Sequence, residues 1–171
     1  QTLRLSSRSS LDFFFVFAFT NQRTELNSGV LRNLAAGNVR IAATDTLQLQ
    51  NGVNALSPVG AASSGGNLIL DAKNIVLGRE GDTASMMQLQ GFDNVQMGTA
   101  GTTQSVRGAG SFTLSSNSLT LYADTIGAAS AGAKTHINAI GAVALNKVNA
   151  ELVTTVVDTV FGANLNIDGK S

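Results

Sequence analysis

Five short alternations recur along the chain at near-regular intervals, and they restrict what it can fold into. They are Leu47-Gln48-Leu49, Ile75-Val76-Leu77, Val95-Gln96-Met97, Leu119-Thr120-Leu121 and Val143-Ala144-Leu145, separated by 28, 20, 24 and 24 residues. In a strand, residues two apart point to the same side, so each alternation marks a strand with one buried face. Upstream of most of them lies a second alternation: Val39-Arg40-Ile41, Leu68-Ile69-Leu70 and Phe112-Thr113-Leu114. Met87–Leu89 and the region of Ile137 are weaker versions, and Leu165-Asn166-Ile167 begins a further copy. Small pairs open many copies: Gly37-Asn38, Gly66-Asn67, Gly110-Ser111 and Ala163-Asn164. Recurrence at such a period is the signature of a solenoid, in which each copy is one coil and its neighbours cover its apolar face. The pattern predicts an all-β chain: a parallel β-helix of about five to six coils over residues 37–171. Residues 1–36 fall outside the repeat.

Helical readings fit poorly. Gly, Asn, Ser and Thr are weak helix formers and occur every few residues. Val148–Phe161 is the best helix candidate, yet its Val and Thr content favours a strand. Four stretches rich in turn formers read as loops leaving a corner: Ala55–Gly65, Gly78–Ser85, Ala100–Ala109 and Gly127–Lys134. The apolar block Leu11–Phe19 is far shorter than the roughly 20 residues that span a bilayer, and it reads as a buried or end-covering strand. The chain opens on Gln1 rather than methionine, which reads as a processed product or a fragment.

Stacked coils also imply columns of side chains, one per coil and roughly 4.8 Å apart. Two positions before each alternation stand Asp45, Lys73, Asp93, Asn117 and Gly141. Asp45, Lys73 and Asp93 would alternate in sign along one edge, which avoids stacking like charges. The next position holds Thr46, Asn74, Asn94, Ser118 and Ala142, where Asn74 over Asn94 would form an amide ladder. The expected structural ladder is therefore Asp45, Lys73, Asp93, Asn74, Asn94 and Asn117.

Charge narrows the function. Only 13% of residues are charged, about half the usual share, and eleven basic side chains balance eleven acidic ones. No basic footprint for nucleic acid exists. There is no cysteine, so thiolate chemistry and disulfides are excluded. His136 is the only histidine and reads as a surface or turn residue. No Gly-x-Ser-x-Gly elbow, phosphate loop or dinucleotide fingerprint occurs. A polysaccharide-processing enzyme would need several carboxylates converging on one face. Asp71 and Asp93 lie at different positions of their coils, and Lys73 separates Asp45 from Asp93. No residue is assigned to catalysis, a cofactor or a metal.

The segments Gly37–Gln50, Gly66–Gly78 and Gly110–Ala123, and more weakly His136–Asn146, resemble the filamentous haemagglutinin-type adhesins. These are large bacterial surface proteins exported by two-partner secretion. The likeness covers roughly Gly37–Ser171 and lies in composition and rhythm. It implies a right-handed parallel β-helix from the interior or later part of a longer chain, located outside the cell. It further implies an outer-membrane transporter during export and a role as rod or adhesive shaft. The expected partners are neighbouring coils of the parent chain, or other subunits stacked end to end, together with a host-cell or glycan receptor. A self-assembling fibre subunit is the first alternative, because unpaired strand edges template further pairing. A polysaccharide-processing enzyme or glycan-binding module is the second.

Overall fold

The computed structural model describes residues 1–14, 21–52, 65–146 and 164–169. Among them every regular element is a strand, and the chain is wound into about five turns of a parallel β-helix. The first pass holds β1 (Thr2–Ser6) and β2 (Ser10–Phe13), and the second β3 (Arg23–Asn27), β4 (Val30–Asn33) and β5 (Val39–Ala42). The third holds β6 (Thr46–Gln50) and β7 (Asn67–Asp71), and the fourth β8 (Asn74–Gly78), β9 (Ser85–Gln90) and β10 (Asn94–Met97). The fifth holds β11 (Ser105–Ala109), β12 (Ser111–Ser116) and β13 (Ser118–Tyr122). The sixth holds β14 (Thr125–Ala128), β15 (Lys134–Ala139) and β16 (Val143–Asn146). β17 (Asn164–Asp168) follows. Sheet 1 runs β1-β3-β6-β8-β11-β14, sheet 2 runs β2-β4-β9-β12-β15-β17, and sheet 3 runs β5-β7-β10-β13-β16.

All pairings are parallel and in register, so identical positions stack from coil to coil. Leu47, Ile75 and Val106 form one inner column of sheet 1. Val39, Leu68, Val95 and Leu119 form one in sheet 3, and Met87, Leu114 and Ile137 one in sheet 2. Each of these side chains is essentially removed from solvent. Burial of apolar area at about 25 cal/mol per Å² drives the stacking, and each interior coil is covered above and below.

The stacked parallel coils agree with the sequence reading, but four details differ. Each full pass carries three strands, not two. The five recurring alternations come from two different sheets: Leu47–Leu49 and Ile75–Leu77 from sheet 1, the others from sheet 3. Ser105–Ala109, expected as loop, is β11, paired to β8 and β14. Its inward positions hold Val106 and Gly108, so the second member of the alternation has no side chain to show. Finally, β1 to β4 join sheets 1 and 2, so the stack extends into residues 1–36. Phe13 in β2 is buried, whereas Val148–Phe161, most of Ala55–Gly65 and the end of Leu11–Phe19 lie outside the described residues.

Sheet 2 contains a dislocation. β9 pairs through Ser85–Gln88 with β12, and through Gln88–Gln90 with β4, two passes earlier. The first half of β9 is instead met by Asn51, which is buried; its amide donates to Met86 O at 2.8 Å and its carbonyl accepts from Ser85 Oγ at 2.8 Å. Gln88 N then donates to Gly29 O at 2.9 Å. Among the described residues the third pass meets sheet 2 at Asn51, and the end of β9 pairs with β4 two passes below. Sheets 1 and 3 keep β6 and β7 at that level.

The first coils are joined by ion pairs on their outer surface. Arg32 grips Asp12 with Nε and Nη2 at 3.0 and 2.8 Å, and Glu25 accepts from Arg4 and Arg23 at 2.7 and 2.8 Å. The hydrogen bond from Arg32 holds the Asp12 carboxyl below its ordinary 3.8 against partial burial, with help from Ser10. Burial pushes Glu25 up, but the bonds from Arg23 and Arg4 outweigh it and leave it below its ordinary 4.5. A carboxylate depressed in the folded state stabilises above its unfolded value, and that contribution is lost as pH falls through the folded value. The urea midpoint is therefore expected to fall as pH drops below about 4, with a smaller fall in Arg32→Met. Identical pH profiles for the two proteins would show that the pair carries none of the acid sensitivity.

Candidate functional site

The outer face of sheet 2 gathers hydrogen-bonding side chains beside two hollows. β9, β12 and β15 have six residues each, against four or five for the other strands. Their alternation sends Met87, Leu114 and Ile137 inward and leaves the intervening residues outward. Register aligns Met86, Thr113, His136 and Asn166 in one outer column, and Gln88, Ser115, Asn138 and Asp168 in the next. A hollow of about 470 Å³ lies over the strand starts, bounded by Thr83, Met86, Thr113, Lys134, His136 and Asn166. A second, of about 450 Å³, lies over the strand ends beside Gln88, Gln90, Ser115, Asn117 and Ile140.

The turn before β9 raises one wall. Asp82 N donates to Arg79 O and Arg79 N to Asp82 Oδ2, both at 3.0 Å. Ser111 N donates to Asp82 O at 2.8 Å, which fastens the turn to the next coil. Gly110 makes this approach possible: a Cβ there would lie 2.1 Å from Arg79 O. Residues 79–84 thus form a corner loop inside the expected Gly78–Ser85 stretch, whose two ends belong to β8 and β9.

Among the residues bounding the hollows, Lys134 and His136 are the basic groups, and no carboxylate bounds either. His136 stands outward on β15, about 39% exposed in its side chain, with Nε2 2.5 Å from Asp168 Oδ2. Among the described residues there is no group of three or more His, Cys, Asp or Glu suited to a metal ion. The arrangement places hydroxyls, amides and two basic side chains in ordered outer columns.

The sequence-predicted ladder residues divide between two corners. Asp45 and Lys73 occupy consecutive coils where sheet 3 turns into sheet 1, followed by Gln104, whose N–H donates to Lys73 O at 2.8 Å. Asp93 and Asn117 occupy the corner between sheets 2 and 3, where Asn117 Nδ2 donates to Phe92 O at 2.8 Å. Asn74 therefore does not stack on Asn94. It donates to Asp45 Oδ1 at 3.3 Å and accepts from Ser105 Oγ at 2.8 Å. Asn94 donates to Asn67 Oδ1 at 3.0 Å, and Asn67 donates to Asn38 Oδ1 at 3.0 Å. The amide ladder is thus Asn38, Asn67 and Asn94. The difference has a physical origin: corners of both kinds precede an alternating strand, so one linear frame merges them. The signal that separates them lies in the small pairs Gly37-Asn38 and Gly66-Asn67.

The ladder gives a direct expectation. Asn67→Ala removes both bonds, and at about 0.5–1.5 kcal/mol net per bond it is expected to cost about 1–3 kcal/mol. The comparison is Thr120→Ala, on the outer face of the same sheet but outside the ladder column, which is expected to be near neutral. Equal urea midpoints for these two variants would show that the ladder contributes nothing.

Fold and surface together define a parallel β-solenoid with an apolar interior and a hydrogen-bonding outer face. No family model, no curated protein and no solved structure matches the chain.

Proposed function

We propose that this chain is a structural and adhesive stretch of a large bacterial β-helical rod, secreted or attached to the cell surface, of the filamentous haemagglutinin type. The observation that carries the reading is the parallel register of the inner columns of sheets 1 and 3, unbroken from coil to coil. Such a stack transmits its geometry along one axis and needs no catalytic centre to do its work. The low charge and the polar outer columns suit a shaft whose surface meets other molecules by hydrogen bonding. Export through an outer-membrane transporter and end-to-end neighbours belong to the same proposal.

The purified chain, joined in tandem to its own copies, is expected to give elongated particles with a diffraction spacing near 4.8 Å along the long axis. Beads coated with it are expected to attach to epithelial cells. Release of new reducing ends from soluble polysaccharides would replace the proposal with an enzymatic one.

A further inference from the structure

The corner where the third pass meets sheet 2 holds the only Asn-Gly step of the chain, Asn51-Gly52. In this dipeptide an asparagine is most readily attacked by its own backbone, because glycine has no Cβ to keep its nitrogen away from the side-chain carbonyl. We propose that Asn51-Gly52 is a latent deamidation site, closed while the corner is folded, whose reaction makes an opening of that corner permanent. The inference stands apart from the adhesive reading.

The chemistry sets the requirements. The Gly52 N–H loses its proton to hydroxide, the nitrogen attacks Asn51 Cγ, and the Cγ–Nδ2 bond breaks as ammonia leaves. A cyclic succinimide results, and water opens it at either carbonyl to give aspartate or isoaspartate. The folded corner opposes each step. Gly52 N donates to Asn27 Oδ1 at 2.7 Å, so the attacking nitrogen is committed to the coil below. Asn51 Nδ2 donates to Met86 O at 2.8 Å, which holds the leaving group on β9. Ser85 Oγ donates to Asn51 O at 2.8 Å and fixes the peptide unit that would have to turn. Asn51 is 2% exposed, so hydroxide and water lack access to it.

These bonds join the second, third and fourth passes at the dislocation, so the site and the joint are one. Aspartate at this position would set a carboxylate oxygen against Met86 O in a buried place, where an unpaired charge is costly. Isoaspartate would add a main-chain carbon just before Gly52. Neither product restores the donor that fastens the first half of β9. The ladder asparagines are protected differently: Asn38, Asn67 and Asn94 are followed by Val39, Leu68 and Val95, whose side chains crowd the attacking nitrogen.

The test incubates the full chain, folded and in urea, in mildly alkaline buffer, and follows each asparagine by peptide mapping and mass spectrometry. Asn51 is expected to convert first in urea and at least about tenfold more slowly in the fold, because only the locally open state reacts. Asn27→Ala frees the Gly52 N–H and is expected to speed conversion about fivefold, the change in opening that one lost hydrogen bond gives. Asn27→Asp keeps an acceptor and is expected to match the natural chain, which separates the clamp from general loosening. Gly52→Ala, whose Cβ would meet nothing closer than Asn27 at 3.4 Å, is expected to fold and to slow conversion in urea. Asn51→Asp reproduces one product and is expected to lower the urea midpoint. Equal rates in the folded and unfolded chain, or a folded Asn27→Ala that converts no faster, overturn the proposal. Asn51→Asp with the natural midpoint overturns the proposed effect on β9.

Discussion

Replacing Asn33 with leucine is expected to destabilise the fold by about 3 kcal/mol or more, because one buried amide serves three coils. Asn33 closes β4 and is fully buried. Its Nδ2 lies 3.0 Å from Gly37 O, 3.2 Å from Gly65 O and 3.2 Å from Gly91 O. These carbonyls come from three successive passes through the corner between sheets 2 and 3. Its Oδ1 accepts from Ala35 N at 3.2 Å, completing the turn. A backbone carbonyl left unbonded in a buried site costs about 1–3 kcal/mol, and leucine supplies no donor for any of the three. Gly66 is part of the same arrangement. It holds φ of +91°, and a Cβ on it would sit 2.2 Å from Gly37 O and 2.8 Å from Asn33 Nδ2.

Asn33→Asp separates this explanation from simple loss of packing. The shape is kept, but a carboxylate would face three carbonyl oxygens, so it is expected to be worse than Asn33→Ala at pH 7. Repulsion raises the carboxyl value of the folded variant above its unfolded value of about 3.9. The variant's added penalty is therefore absent below the unfolded value and grows as pH rises through the window between the two. Urea midpoints relative to the natural chain should converge as pH falls toward about 4. If Asn33→Asp matches Asn33→Ala at every pH, the amide is not the shared donor.

The sequence shows the inner columns well and the corners badly. Leu68-Ile69-Leu70 or Leu119-Thr120-Leu121 carry their orientation in three residues, because a two-residue period is local. The third strand of each coil is harder to see, since β11 and β14 place Gly108 and Ala128 at inward sites where the periodicity expects bulk. Asn33 and Asn51 are invisible for another reason. Their partners lie up to 58 residues away, and neither stands in a motif of its own. The surface beside the hollows is also non-local: it depends on the stacking of β9, β12 and β15, and the longer strands and the Gly78–Ser85 turn set sheet 2 apart. His136 is legible as a surface residue, but its contact with Asp168 depends on the pairing of β15 with β17.

Gly108 supplies the sharpest test of how the coil closes. It is the fourth strand position of β11, facing inward between Leu77 below and Ala128 above. A Cβ built there would lie 1.7 Å from Thr135 Oγ1, 2.5 Å from Thr135 Cβ and 3.1 Å from Thr135 Cγ2. The backbone of sheet 1 therefore approaches Thr135 of sheet 2 directly, and glycine is required by space, not by an unusual φ. Overfilling a packed interior costs about 1–3 kcal/mol in ordinary cases, and this overlap reaches the Cβ of a strand residue, which no rotamer change can move. Gly108→Ala is expected to cost about 3 kcal/mol or more in urea denaturation. Thr135→Ser leaves the Cβ overlap in place and should recover little in the double variant. Thr135→Gly removes every clashing atom, so Gly108→Ala with Thr135→Gly should be more stable than Gly108→Ala alone, although Thr135→Gly by itself weakens β15. Thr135→Val adds a separate expectation, because Thr135 Oγ1 is buried without a hydrogen-bond partner. Exchanging that hydroxyl for a methyl of similar size should raise stability by about 1 kcal/mol. Recovery by Thr135→Gly fixes sheets 1 and 2 as the contacting pair. Equal loss in Gly108→Ala with and without it places the obstruction elsewhere and refutes this closure of the coil.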